Sequence, residues 1–218
     1  MSDVDLSNSI RNGNPLTSRS IKLKRLIFDD FVNDADYVVS PRIDGKQLRC
    51  PAYAKWISMV FRCNHPSCLS KRPEYVGVTI CDEWKSFMNF RSWWEKNCID
   101  GYHLDKDLLV AGNKEYSPAA CVFIPPWLNT FLCDQKARRG DYSIGVSFCS
   151  RRGKYIAECR DPIRKVGSTV GRFGTEKEAN HAYVDRKLQH LKSLKENIDE
   201  INTKIYSVAF EIISSRRI

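Results

Sequence analysis

The sequence has no apolar run near the roughly 18 residues that a membrane span requires, so no transmembrane helix is expected and a soluble protein is. The opening residues, Met1-Ser2-Asp3-Val4-Asp5, carry no basic segment followed by an apolar one, and a secretory signal is therefore not expected. No internal repeat is evident, which excludes solenoids and repeat arrays. No Cys-x-x-Cys pair occurs among the nine cysteines. Their odd count, spread over 218 residues, does not describe the disulfide framework of a small secreted domain, and the thiols are read as reduced. What the chain does have is 42% hydrophobic and 11% aromatic residues, enough for a packed core and too much for a mostly disordered chain. The length fits one domain of ordinary size or two small ones.

The net charge of +9 is unevenly placed. Residues 1–134 hold 17 basic against 16 acidic side chains, whereas residues 135–218 hold 18 against 10. Residues 135–173 alone carry 10 basic and 3 acidic side chains. A local excess of this size within a short strand-like stretch points to a polyanion, foremost nucleic acid; the plainer reading is a solvated basic surface.

Residues 1–20, rich in Ser, Asn, Arg and Gly, are expected to be a flexible tail. Asp44-Gly45 marks a turn. Trp56, Met59 and Val60 predict a helix over 53–62. Asp82 is the expected N-cap of a second helix carrying Trp84, Phe87, Phe90 and Trp94. These aromatics, with Phe61 and Trp93, are read as a core more readily than as a platform for stacked bases. Residues 102–109 and 121–124 predict strands, and Pro125-Pro126 opens a helix. This makes a strand–turn–strand–helix unit. Beyond a basic linker over 135–140, strands are predicted over 142–149, 155–159 and 167–173, with a hairpin turn at Arg151-Arg152-Gly153. Thr175 and Glu178 form a capping box that starts a helix. Leu191, Leu194, Ile198, Ile201, Ile205, Val208 and Ile212 keep heptad spacing. They predict one long C-terminal helix that either joins a second copy in a homodimer or packs on its own protein.

The stretch Gly145-Val146-Ser147-Phe148, Gly153-Lys154-Tyr155-Ile156-Ala157, Gly171-Arg172-Phe173-Gly174-Thr175, Glu178-Ala179, Ala182-Tyr183 resembles the APETALA/ethylene-response-factor DNA-binding domain in its phage and bacterial form. The resemblance covers about 45 residues. It implies three antiparallel strands packed on one helix, with the sheet entering the major groove of double-stranded DNA. A narrow sheet does fit a groove about 12 Å wide. Arg151, Arg152, Lys154, Arg160, Arg164, Lys165 and Arg172 would supply cations and planar donors, and Ser147 or Phe148 would touch bases or thymine methyls. The sequence departs from the plant pattern at Pro162-Ile163-Arg164-Lys165.

Over residues 30–130, Trp56-x-x-Met59-x-x-Arg62-Cys63, Cys81-x-x-Trp84-x-x-Phe87, Leu104-Asp105-Lys106-Asp107, Gly112-Asn113-Lys114-x-Tyr116-Ser117-Pro118-x-x-Cys121-x-Phe123 and Asn129 are similar to phage HNH or homing endonucleases. That similarity implies a ββα-metal module acting in a bacterial cytoplasm. A divalent ion, usually Mg²⁺, offsets charge on the scissile phosphate there, and a histidine activates water. Asp105 then fits the metal-ligand carboxylate, Asn113 the loop asparagine and Asn129 the helix ligand. Lys106 occupies the base position, where a protonated amine accepts no proton and repels the ion. His103, two residues before Asp105 on the same strand face, is an offset base on this reading, and Asp107 is a further ligand. The plainer readings are a surface histidine, and aspartates that cap a turn or pair with Lys106 or Lys114.

Cys63, His65, Cys68 and Cys81 offer four N/S donors for a structural Zn²⁺, or are free thiols and a loop histidine. An α+β protein is expected. A flexible tail (1–20) precedes an HNH-like module (21–134), a basic linker (135–140), a three-stranded DNA-binding module (141–186) and a C-terminal helix (187–218). Three functions follow: a homing-type DNA endonuclease, a non-catalytic DNA-binding regulator derived from one, or an interaction protein assembled through the heptad helix.

Overall fold

The computed structural model describes residues 1–17, 25–110, 112–134 and 140–218. The predicted linker over 135–140 falls, apart from Gly140, outside the described residues, as do positions 18–20 of the predicted tail. The chain is α+β and forms two compact units, Met1–Phe123 and Ile124–Ile218.

In the first unit, residues Asp3–Gly13, expected to be flexible, form helix α1. Ser2 and Asp5 close a reciprocal cap: the Ser2 Oγ accepts from the Asp5 amide at 3.0 Å and Asp5 Oδ2 from the Ser2 amide at 3.2 Å. Polar composition hid a thin apolar stripe in which Ile10 is buried and Val4 and Leu6 pack against the core. Arg91 reaches Asn8 Oδ1 at 2.8 Å, and Arg11 pairs with Asp36 at 2.7 Å, so the helix is also tied electrostatically. Ile10→Ala is therefore expected to destabilise this unit by about 2–4 kcal/mol in urea unfolding. A change below about 0.5 kcal/mol would show that α1 does not belong to the core.

Two hairpins follow, β1 (Arg25–Phe28) with β2 (Phe31–Asn33) and β3 (Arg42–Ile43) with β4 (Lys46–Gln47). The second turns at Asp44-Gly45, whose φ values of 49° and 76° suit a tight primed turn. Helix α2 (Pro51–Asn64) buries Trp56, Met59 and Val60 as its spacing predicts. Short helix α3 covers Pro66–Lys71. Asp82 does not cap the next helix. It pairs with Lys85 at 2.7 Å within a 3-10 turn, and the next helix, α4, covers Phe87–Asn97. Ser86 is the cap, accepting from the Asn89 amide at 3.1 Å while its hydroxyl donates to Asp34 at 2.7 Å. Trp56, Trp84, Phe87, Phe90 and Trp94 are fully buried and form the core; of the two further aromatics expected there, Trp93 is half-buried against it and Phe61 is exposed. β5 (Thr79–Ile80) pairs in parallel with β7 (Glu115–Tyr116), and β6 (His103–Asp105) pairs with β8 (Val122–Ile124).

In the second unit, Pro125 and Pro126 open helix α5 (Pro126–Leu132) as expected. Its contacts are here: Lys187 Nζ lies 4.1 Å from the Phe131 ring centroid, and Arg216 donates to the Leu132 carbonyl. The helix expected to complete the ββα module thus packs with C-terminal elements. β9 (Val146–Cys149), β10 (Lys154–Arg160) and β11 (Gly167–Phe173) form a three-stranded antiparallel sheet with β10 in the middle. Helix α6 (Glu176–Ser193) packs on it and starts at the Thr175/Glu178 capping box.

The predicted single C-terminal helix is corrected. α6 ends at Ser193, α7 covers Lys195–Asp199, and α8 (Thr203–Ser214) is capped by Asn202, whose side chain accepts from the Lys204 amide at 2.9 Å. α8 packs on α6, and Leu191, Ile198, Ile205, Ala209 and Ile213 are buried. Of the heptad positions Leu191, Ile198 and Ile205 are buried, whereas in α8 burial shifts by one residue to Ala209 and Ile213 and leaves Val208 and Ile212 half-buried, so the stripe that would have formed a dimer seam is only partly consumed within the unit. Asn180 fastens the chain end, donating to the Arg216 carbonyl and accepting from the Ile218 amide, each at 3.1 Å.

Candidate nucleic-acid interface

The register of β9–β11 sorts its side chains by face. Tyr155, Ala157 and Cys159 alternate toward the helix side, where Ala157 and Cys159 are buried. Lys154, Ile156, Glu158 and Arg160 project from the other face. Ile156 stands between Ser147 and Arg172, and Lys154 opposite Cys149. Phe148 pairs with Tyr155 and so belongs to the helix side; its ring lies 4.9 Å from that of Tyr155 and 6.1 Å from that of Tyr142. Phe148 thus joins an aromatic cluster while remaining exposed, and Ser147 stays on the outward face. Alternation along β10 also adds Glu158, a carboxylate acceptor among the cations, which the motif comparison missed.

The remaining cations lie in the turns at the two ends. Arg151 and Arg152 occupy a 3-10 turn closed by Gly153 in the left-handed region, φ 59°. At the other end Asp161 builds the loop. Its Oδ1 accepts from the Arg164 amide at 2.8 Å and the Ile163 amide at 2.9 Å, and these bonds hold its carboxyl below the usual range. Arg160 donates from Nε to the Lys165 carbonyl at 2.7 Å, so it is partly committed to the fold. Among the described residues, no ion pair engages Arg151, Arg152, Lys154, Arg164, Lys165 or Arg172. In the first unit Arg11, Lys85, Arg91 and Lys106 have carboxylate partners, while other cations, Arg42, Lys46, Lys71 and Arg72 among them, make no ion pair among the described residues; what sets the second unit apart is that its unpaired cations gather on one sheet face and its end turns.

The residues expected to form a nuclease site are placed differently. His103 is exposed at the start of β6, and Asn129 is exposed on α5 in the second unit. Asp105 Oδ1 caps a turn, accepting from the Leu108 amide at 2.8 Å and the Asp107 amide at 3.1 Å. Burial, and then the charge of Asp107, push the Asp105 carboxyl up. Lys106 pairs with Asp107 at 2.9 Å. The Asn113 amide is spent on the backbone: Nδ2 donates to the Lys106 carbonyl at 2.7 Å and the Glu115 carbonyl at 2.6 Å, and Oδ1 accepts from the Glu115 amide at 3.2 Å. These residues do not fit a Mg²⁺ ion. The carboxylate and amide are engaged by the main chain, and an ammonium sits against the second carboxylate.

Cys63, His65, Cys68 and Cys81 are not gathered either. His65 Nδ1 caps α3 by accepting from the Ser67 amide at 3.3 Å, and its ring stacks on Phe61 with centroids 5.2 Å apart. The Cys63 thiol is buried and pushed up to about 11 by that burial. Among the described residues, the one group of three His, Cys, Asp or Glu donors within 4.8 Å of one another is Asp3, Cys98 and Asp100.

Compared with protein-family models, with curated proteins and with solved structures, the chain finds no match. The two resemblances rest on the quoted motifs alone.

Proposed function

We propose that the chain binds double-stranded DNA, laying the outward face of β9–β11 and its two end turns into the major groove. One observation carries this reading: six cations are gathered on one face and its flanking turns, and among the described residues none of them makes an ion pair. Burying that face against phosphates gives these charges the counter-ions the fold withholds. Ser147 and Glu158 are the acceptors in the same face through which base edges can be read.

The binding-only form of the reading is favoured over a metal-dependent endonuclease by the engagement of Asp105, Lys106 and Asn113. With Mg²⁺, supercoiled plasmid is expected to be retarded and left uncut. Mg²⁺-dependent nicking that disappears in Asp105→Ala would overturn this.

Six phosphate contacts predict that log K for duplex DNA falls with log[salt] with a slope of about −5. Replacing Arg151 and Arg152 together by alanine should make the slope shallower by about 2 and leave the thermal midpoint nearly unchanged. Fluorescence anisotropy on a labelled duplex across a NaCl series measures both. A slope near zero would sink DNA binding, and an unaltered slope in the double variant would place another surface on the DNA.

A further inference from the structure

We propose that the Lys106 ammonium is the resident cation of the 105–116 loop, and that the loop takes up an external divalent ion only after this ammonium is removed. The side chain is inward: the residue is 9% exposed, although lysine is among the residues least often buried. Its Nζ donates to Asp107 Oδ2 at 2.9 Å, reaches the Asn113 carbonyl at 3.4 Å and faces the Tyr116 ring, 5.9 Å from its centroid. A carboxylate, a carbonyl oxygen and an aromatic face thus converge on one positive charge. Oxygen donors alone would serve a hard cation, but the π face suits an ammonium. The loop is also closed around this lysine, because Asn113 returns a hydrogen bond to the Lys106 carbonyl itself. Asp105 ends β6 immediately before Lys106, its carboxyl raised by burial and by the Asp107 charge, so removal of Lys106 leaves two neighbouring carboxylates without the cation that Asp107 now holds.

The inference concerns the first unit and is independent of DNA binding. Thermal midpoints are measured for wild type, Lys106→Ala and Lys106→Met, in EDTA and in about 10 mM Mg²⁺. In EDTA both variants are expected to fall by about 5 °C or more. Mg²⁺ should return at least half of the loss in Lys106→Ala, where space is opened. It should return little in Lys106→Met, where the side chain still fills the site, and should leave wild type unmoved. A wild-type midpoint in both variants, or an equal Mg²⁺ response in wild type and Lys106→Ala, overturns the proposal. So does a response that survives in Lys106→Ala combined with Asp107→Asn. Should Lys106→Ala fail to fold, Asp107→Asn decides. It is expected to lower the midpoint of wild type but not that of Lys106→Met, and equal losses in the two backgrounds overturn the assignment. DNA affinity should be unchanged in every first-unit variant that folds, so failure here and failure of DNA binding are separately visible.

Discussion

Replacing Gly145 by alanine is expected to unfold the second unit at temperatures where wild type is fully folded. The residue has φ +74°, which costs any side chain about 1 kcal/mol or more. The larger obstacle is space. A Cβ at this position would stand 2.1–2.5 Å from three ring carbons of Tyr183. Tyr183 is not the far end of a mobile side chain: it is buried on α6, beneath the sheet. Gly145 cannot move away freely, since its carbonyl accepts from the Glu158 amide at 2.9 Å and holds the start of β9 in register with β10. Strain and overpacking together should exceed about 4 kcal/mol. Urea unfolding followed by near-ultraviolet circular dichroism would show it, and DNA binding should disappear with the fold. Adding Tyr183→Ala to the variant should recover part of the loss, because it removes the clashing ring. A Gly145→Ala midpoint within about 1 °C of wild type would contradict the close approach.

Lys187→Met is expected to stabilise the same unit near neutral pH. Lys187 is 8% exposed, and its Nζ lies over the rings of Phe131 and Tyr183, at 4.1 and 5.8 Å from their centroids. Burial lowers its pKa to about 8; Cys159 nearby acts to raise it, and Arg216 adds to the lowering. An unfolded lysine titrates near 10.4. Between about pH 8 and 10.4 the unfolded chain therefore binds a proton that the native state has released. Over that window this group makes stability rise with pH, and below about 8 the full penalty is present. The gap corresponds to about 3 kcal/mol, so the methionine variant should gain about 1–3 kcal/mol at pH 7. Cys159 works in the opposite sense, because burial pushes its thiol up. The informative quantity is thus the difference between wild type and Lys187→Met, measured by urea unfolding from pH 7 to 10. That difference should shrink toward zero as pH rises. A variant less stable than wild type at pH 7 would show that the cation–π contacts outweigh burial.

The sheet of the second unit was legible because every signal agreed: period-2 alternation, a glycine in the hairpin and a capping box at Thr175 and Glu178. The first unit was legible in its aromatic core and less so in its ends. Ser86 rather than Asp82 caps α4 because Asp34, distant in sequence, holds Ser86 and Met88 in place. The break in the C-terminal stripe left one local trace, Asn202, a helix-starting residue that a heptad count passes over. The use made of Asp105 and Asn113 was not legible, for a chemical reason. Aspartate and asparagine that ligate metals are also the residues that hydrogen-bond their own backbone two residues on, and sequence does not separate the two uses. Lys106 was the discordant residue in the motif, and it is the one whose side chain the structure turns inward.

The three-stranded sheet also sets a limit by its width. Strands lie about 4.8 Å apart, so three backbones span about 10 Å, against a groove about 12 Å wide. β9 and β11 are the two outer strands, each with one flank of main-chain donors and acceptors left unpaired by the sheet. A fourth strand added at either flank would make the sheet too broad for the groove. On the proposed reading, strand exchange with another copy and seating on DNA are mutually exclusive. The nucleic acid would then guard against aggregation as well as serve as the target.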